Sequence, residues 1–200
     1  AVPMQRAILE SSSYEDDAVA TCLNLVPDDG VFVDIGANIG AFTCAFAARR
    51  PRFRGRIHAI EPVSGNFAAL KANIRLNGLG RRVTLDRLAL GEQPGELTMH
   101  IEPDGSSNNA VGDNMLAAHD RLAVAERNWR RETVPMTTLD EWAGRRAITR
   151  CDLIKIDVEG AEPMVFKGGM QFLARCRPAI CGEFNPYWMG QSGWTMPDVI

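Results

Sequence analysis

The sequence has no C-x-x-C pair: its five cysteines, Cys22, Cys44, Cys151, Cys176 and Cys181, are odd in number and scattered. That speaks against both a disulfide framework and a zinc cage, and makes a reducing cytoplasm the expected compartment. No apolar run approaches the roughly 20 residues that a membrane-spanning helix needs, and the opening AVPMQRAILE carries no charged-then-apolar leader. No repeat or low-complexity tract appears. Charges of one sign are not blocked together either, and with a formal net charge of −3 the chain lacks the footprint of a nucleic-acid binder. The nearest exception is the arginine cluster from Arg49 to Arg56, read as a solvated loop after a helix.

What is present suits one globular domain over residues 1–200, since 200 residues with 46% hydrophobic side chains are enough to build a core. VFVDIG at 31–36 is a short β-branched strand introduced by the turn-forming PDDG and stopped by glycine. An alanine-rich helix over 41–48 follows, then a strand RIHAIEP at 56–62. A helix capped by Ser64 runs to about Asn77, with Phe67, Leu70 and Ile74 on one stripe and Gly78 placed to end it. VTLDRLAL at 83–90 reads as the third strand. This alternation predicts an α/β fold of the Rossmann-like, doubly wound class with a mostly parallel sheet.

Residues 91–142 break the rhythm with a strand-like ELTMHIE, a polar Gly/Ser/Asn stretch and ETVPMTTLDEW. They read as an inserted segment after the third strand, facing an acceptor. The alternation resumes with CDLIKIDVEG at 151–160, a helix opened by Glu162-Pro163, and a strand PAICGEF at 178–184. The sheet's C-terminal strands look incomplete: Pro197 to Ile200 resembles a helix just starting. The expectation is a missing C-terminal segment, or a partner such as a second copy, covering the sheet edge.

In open parallel sheets ligands bind outside the carboxyl ends of the strands, which draws attention to Asp34, Gly36, Gly40 and Glu61. Gly36 permits a sharp turn, and Gly40 lets the next helix pack close and aims N–H groups at a ligand. Glu61 ends the second strand near the roughly 20-residue spacing of an acid that binds ribose hydroxyls. The loop GANIG lacks the middle glycine that close approach to a pyrophosphate needs, having Ala37 and Asn38 there. Asp34 beside it would repel phosphate and could hold an ammonium group. S-adenosylmethionine, with a ribose and an ammonium but no phosphate, fits this pattern better than NAD. A nicotinamide-dependent oxidoreductase and an idle nucleotide-binding domain are the alternatives.

VFVDIGANIGAFT, IEPVSGNFAALKANIRLNG, TTLDEW and LIKIDVEGAEPMVFKGG together resemble the blocks of the FkbM-type methyltransferase family, in the same order and rough spacing. The resemblance implies S-adenosylmethionine-dependent methyl transfer, usually O-methylation of a hydroxyl on a natural product or sugar and in some members N-methylation of an amide. It supports Asp34, Gly36, Ala37, Asn38, Gly40, Glu61, Pro62, Asn66, Ala89 and Asp157 as cofactor contacts, and singles out Asp157, Glu159 and Glu183 as catalytic candidates. The expected partner is a small-molecule or glycan acceptor with a hydroxyl group, with no nucleic acid and no membrane involved. Asp157 and Glu159 follow the fourth strand, where either could accept a proton. Their plainer readings are a turn cap for Asp157 and an ion pair with Lys155 or an arginine for Glu159. Three acids without a ligand spacing leave metal unassigned. His100 and His119 read as ordinary histidines, and Trp129, Trp142, Trp188 and Trp194 mainly as packing.

Overall fold

The computed structural model describes residues 16–102, 110–112, 129–182 and 184. Short apolar runs form the central layer, because strands buried on both faces need near-continuous hydrophobic sequence. β1 (Val31–Ile35) lies between β2 (Arg56–Ile60) and β8 (Leu153–Ile156). β3 (Val83–Asp86) flanks β2, and β9 (Ala179–Gly182) flanks β8. All these pairings are parallel, in the order β3-β2-β1-β8-β9.

Alternation along the strands sends side chains to two cores. Phe32 and Leu153 pack on one face with Phe42 and Phe46 of α2 (Ala41–Arg49), Leu70 and Ile74 of α3 (Ser64–Leu76), and Val19 and Cys22 of α1 (Asp16–Leu23). Val33, Ile35, Ile154 and Ile156 pack on the other. There they meet Leu139 and Trp142 of α4 (Leu139–Arg145), Val165 of α5 (Glu162–Lys167) and Phe172 of α6 (Met170–Cys176). Helices on both faces of a parallel sheet make the fold doubly wound. Among the described residues no helix is long and apolar enough to cross a membrane.

The segment VTLDRLAL is not one strand. β3 stops at Asp86, and Ala89–Leu90 is β4 of a second sheet, pairing in parallel with β7 (Arg130–Thr137). Asp86 is the cause of the break. Its carboxylate accepts from Trp142 Nε1 at 3.1 Å and Arg146 Nε at 3.0 Å, and Arg146 Nη2 donates to its other oxygen. The chain is thereby anchored on α4 and departs from the sheet. The second sheet has the order β4-β7-β5-β6, with β5 (Gly95–Ile101) antiparallel to both β7 and β6 (Ala110–Gly112). The inserted strands end at Thr137. Trp142 belongs to α4, whose N-cap Thr138 accepts from Glu141 N–H at 3.1 Å.

Ser64 does not cap α3. Val63 is the N-cap, and Ser64 is the first helical residue, its N–H and Oγ donating to the Glu132 carboxylate of β7 at 2.9 and 2.7 Å. Gly78 ends the helix as expected, with φ +65 and Leu79 N–H returning to Ile74 O at 2.9 Å. The arginine cluster is less solvated than its composition suggests: Arg50 reaches back to the carbonyls of Leu23 and Val26 and pairs with Asp28. Residues 197–200 and the polar stretch 104–109 lie outside the described residues.

Candidate active site

The carboxyl ends of β1, β2 and β8 open into one groove. Gly36, at φ +76, turns the chain so that the N–H groups of Gly36 and Ala37 both reach Ile60 O, at 3.0 and 2.9 Å. A Cβ on Gly36 would stand 1.9 Å from the Asp157 carbonyl oxygen, so only glycine lets the first loop pass the turn after β8. Asn38 continues in the left-handed region at φ 52, which brings its N–H to Glu61 Oε2 at 2.9 Å.

Glu61 is 4% exposed and faces this loop from the end of β2. Its Oε1 accepts from Val63 N–H at 2.9 Å and from Asn66 Nδ2 at 3.5 Å. Burial outweighs these bonds and pushes its carboxyl up to about 7. The Asn38 side-chain oxygen is buried with no hydrogen-bond partner.

Several expected cofactor contacts line the groove: Gly36, Asn38, Glu61, Pro62, Asn66, Ala89 and Asp157. Three do not. Ala37 is 4% exposed in the core around Phe42. Gly40, at φ +83, lets α3 close in, since a Cβ there would meet Leu70 Cδ1 at 2.5 Å. Asp34 is fully buried beneath the groove floor rather than on its wall. Its Oδ2 accepts from Thr43 Oγ1 at 2.5 Å, and its Oδ1 lies 3.9 Å from Lys155 Nζ. The alternation of β1 explains this, because Asp34 points with Phe32 toward α2 and not out of the strand end. Burial raises the Asp34 carboxyl, against the pull of the Lys155 ammonium and the Thr43 hydroxyl.

Of the catalytic candidates, Asp157 and Glu159 both border the groove, the Asp157 side chain being 34% exposed. Glu183 lies outside the described residues, as do His119, Trp188 and Trp194. His100 is 3% exposed within β5, and Trp142 packs edge-on against His58.

Two residues of the site were not expected from sequence. Lys155, 8% exposed in the otherwise apolar β8, places Nζ 3.3 Å from Asp157 Oδ2. A lone lysine inside a fully buried parallel strand was the signal for it. Glu162 is 1% exposed, and its Oε1 gathers the N–H groups of Val158 and Gly160 at 3.1 and 3.3 Å, fixing the turn that carries Asp157 and Glu159. Burial raises its carboxyl as well.

The charged residues bordering the groove are Glu61, Asp157 and Glu159, with no lysine or arginine among its described lining. The inserted sheet adds an apolar wall through Leu97 and Met99. Fold and groove together define a Rossmann-like domain with an acidic site at the strand tips. The chain belongs to the Methyltransferase FkbM domain family, whose model matches residues 34–200.

Among curated proteins it is similar to 31-O-demethyl-FK506 methyltransferase FkbM of Streptomyces tacrolimicus, 30% identical over 164 residues that cover 73% of this chain and 61% of that protein. It is also similar to 2-O-methyltransferase NoeI of Sinorhizobium fredii, 27% identical over 155 residues covering 74% and 61%. Methyltransferase 1 of Beauveria bassiana is 29% identical over 154 residues covering 71% and 59%. The chain thus spans about three-fifths of these relatives' length. The crystal structure of Methyltransferase FkbM from Methylobacillus flagellatus shares the fold, with a TM-score of 0.53 at 18% identity over 76% of this chain and 32% of that one.

Proposed function

We propose that this chain is the catalytic core of an S-adenosylmethionine-dependent methyltransferase that methylates a hydroxyl of a small-molecule or glycan acceptor. The observation that carries the reading is the groove's acidic lining: its charged residues are Glu61, Asp157 and Glu159, with no lysine or arginine among the described residues that border it. Such a site disfavours a pyrophosphate and favours a ligand bearing positive charge. The residues present fit that cofactor. Glu61 is placed for ribose hydroxyls, Asn38 has an unused buried oxygen, and Val63, Leu88, Ala89 and Leu90 offer apolar surface for a base. Names of relatives such as 2-O-methyltransferase NoeI support oxygen over nitrogen as the acceptor atom.

When bound, the cofactor supplies a methyl carbon already activated by its sulfonium. The chain's own work is then to align the acceptor and take its proton. Asp157 is assigned the proton, Glu159 the orientation of the acceptor hydroxyl, and Glu183, outside the described residues, remains a catalytic candidate from the sequence. Leu97 and Met99 exclude water from one side. Asp34 joins the start of α2 to β8 through Thr43 and Lys155. The five cysteines are all free thiols, in keeping with a cytoplasmic location.

The test is a methyl-release assay over hydroxylated metabolites and sugars, joined to calorimetry with S-adenosylhomocysteine and NAD. Asp157→Asn should lower turnover by roughly 10²-fold or more while leaving S-adenosylhomocysteine affinity within a few-fold. Full turnover in that variant removes Asp157 as the base. Tighter binding of NAD than of S-adenosylhomocysteine overturns the whole reading.

A further inference from the structure

Every residue of β8 is buried, yet its third residue is a lysine. An ammonium inside a parallel strand is costly unless it is paired. Lys155 pairs across to β1, where its register partner is Asp34, and both side chains point toward α2. There the Lys155 Nζ sits 5.8 Å from the centre of the Phe42 ring and 3.9 Å from Asp34 Oδ1, an oxygen with no hydrogen bond of its own. The other Asp34 oxygen is taken by Thr43. The same ammonium then reaches outward and donates to Asp157 Oδ2 at 3.3 Å, at the groove edge.

A buried carboxylate, a buried ammonium and a groove carboxylate therefore stand in line from the core to the site. Other titratable groups from packed elements feel these charges: Glu61 at the end of β2 and the Cys44 thiol of α2 feel Asp34, and Glu162 of α5 feels Asp157. A hydrophobic residue would satisfy packing at this position of β8 at lower cost, so the ammonium's work is electrostatic.

We propose that Lys155 is a positioning residue: braced from below by Asp34, it holds the Asp157 carboxylate directed at the groove. The proposal rests on Asp157 being the proton acceptor and adds the group that sets its direction. Lys155 itself touches no reacting atom. It acts by giving Asp157 Oδ2 a hydrogen-bond donor fixed in the strand, which confines the carboxylate to one orientation.

The test needs no acceptor. In protein labelled with ¹³C and ¹⁵N, the three-bond couplings that report the Asp157 side-chain rotamer are measured by NMR at one pH. Wild type and Lys155→Arg, which keeps a charged donor, should show a single rotamer, and Lys155→Met an average over several. A single rotamer kept in Lys155→Met, or equal averaging in both variants, overturns the proposal.

Should Lys155→Met fail to fold with Asp34 left unpaired, the couplings are read in Asp34→Asn/Lys155→Met, which removes both buried ionisable groups. The same averaging is expected there, and a single rotamer overturns the proposal equally. The methyl-release assay on Asp157→Asn separates the two ideas: full activity in it sinks the base assignment, whereas the couplings alone decide whether Lys155 positions Asp157.

Discussion

Glu61 is the groove residue whose charge changes near neutral pH. Its carboxyl is pushed up to about 7 by burial, so the empty protein holds it largely neutral at pH 6 and largely ionised at pH 8. A ligand that donates ribose hydroxyls and carries positive charge prefers the ionised form. Binding must then expel the proton, and affinity for S-adenosylhomocysteine should rise about tenfold between pH 6 and pH 8. Calorimetry in two buffers of different ionisation enthalpy should show close to one proton released at pH 6, and a flat affinity across this range would remove Glu61 from the cofactor site. Stability has the opposite sign. Because the folded value lies above the ordinary 4.5, Glu61's neutral form favours the fold below that pH, and this advantage is lost as pH rises through about 7. Ligand binding should accordingly raise the melting temperature more at pH 8 than at pH 6.

At the scale of elements, α3 shows how the inserted sheet shapes the groove. The helix has no acid in its first turn and no cap of its own, so Glu132 of β7 supplies both the acceptor and the charge at its positive end. Pro62, Val63 and Asn66, at the entry to that helix, border the groove. Glu132→Ala should cost about 1 kcal/mol of stability and weaken S-adenosylhomocysteine binding a few-fold. A fall in melting temperature with unchanged affinity would show that the clamp holds the helix without shaping the site. Local sequence could not disclose this cap, since Ser64 has the residue type of an N-cap and its actual partner is 68 residues away. β1, β2, β8, the C-terminal end of α3 and the start of α5 were readable, because β-branched runs, Gly78 and Glu162-Pro163 act through neighbouring backbone alone. The fate of LAL after Asp86 was not, since apolar period cannot say which of two sheets a strand joins. The same limit applied within the site. Glu61 and Asp157, which their residue types and strand-end positions single out, border the groove, but Asp34 at its strand end looks like a groove acid until the alternation of β1 turns it toward Thr43.

For the molecule as a whole, β3 is tied through Asp86 to α4, the helix that follows the second sheet's β7. Asp86 is the last residue of β3, and its carboxylate holds Trp142 and Arg146, on and just beyond α4, with the second sheet beginning at Ala89. The two partners differ in what they lose when Asp86 goes. Trp142 is 2% exposed, so its indole N–H would be left buried without an acceptor, at a cost of about 1–3 kcal/mol. The Arg146 side chain is 40% exposed and would be rehydrated at little cost. Removing Arg146 instead leaves Asp86 still accepting from the indole. Asp86→Ala should therefore lower the melting temperature by roughly 3–10 °C, and Arg146→Ala by clearly less. Because Ala89 and Leu90 border the groove, Asp86→Ala should also weaken S-adenosylhomocysteine binding, whereas Trp142→Phe with Asp86 in place should keep the Arg146 contact and most of the affinity. Scanning calorimetry on the three variants decides the matter: if Arg146→Ala proves as damaging as Asp86→Ala, the exposed ion pair rather than the buried indole bond is what holds β3 to α4.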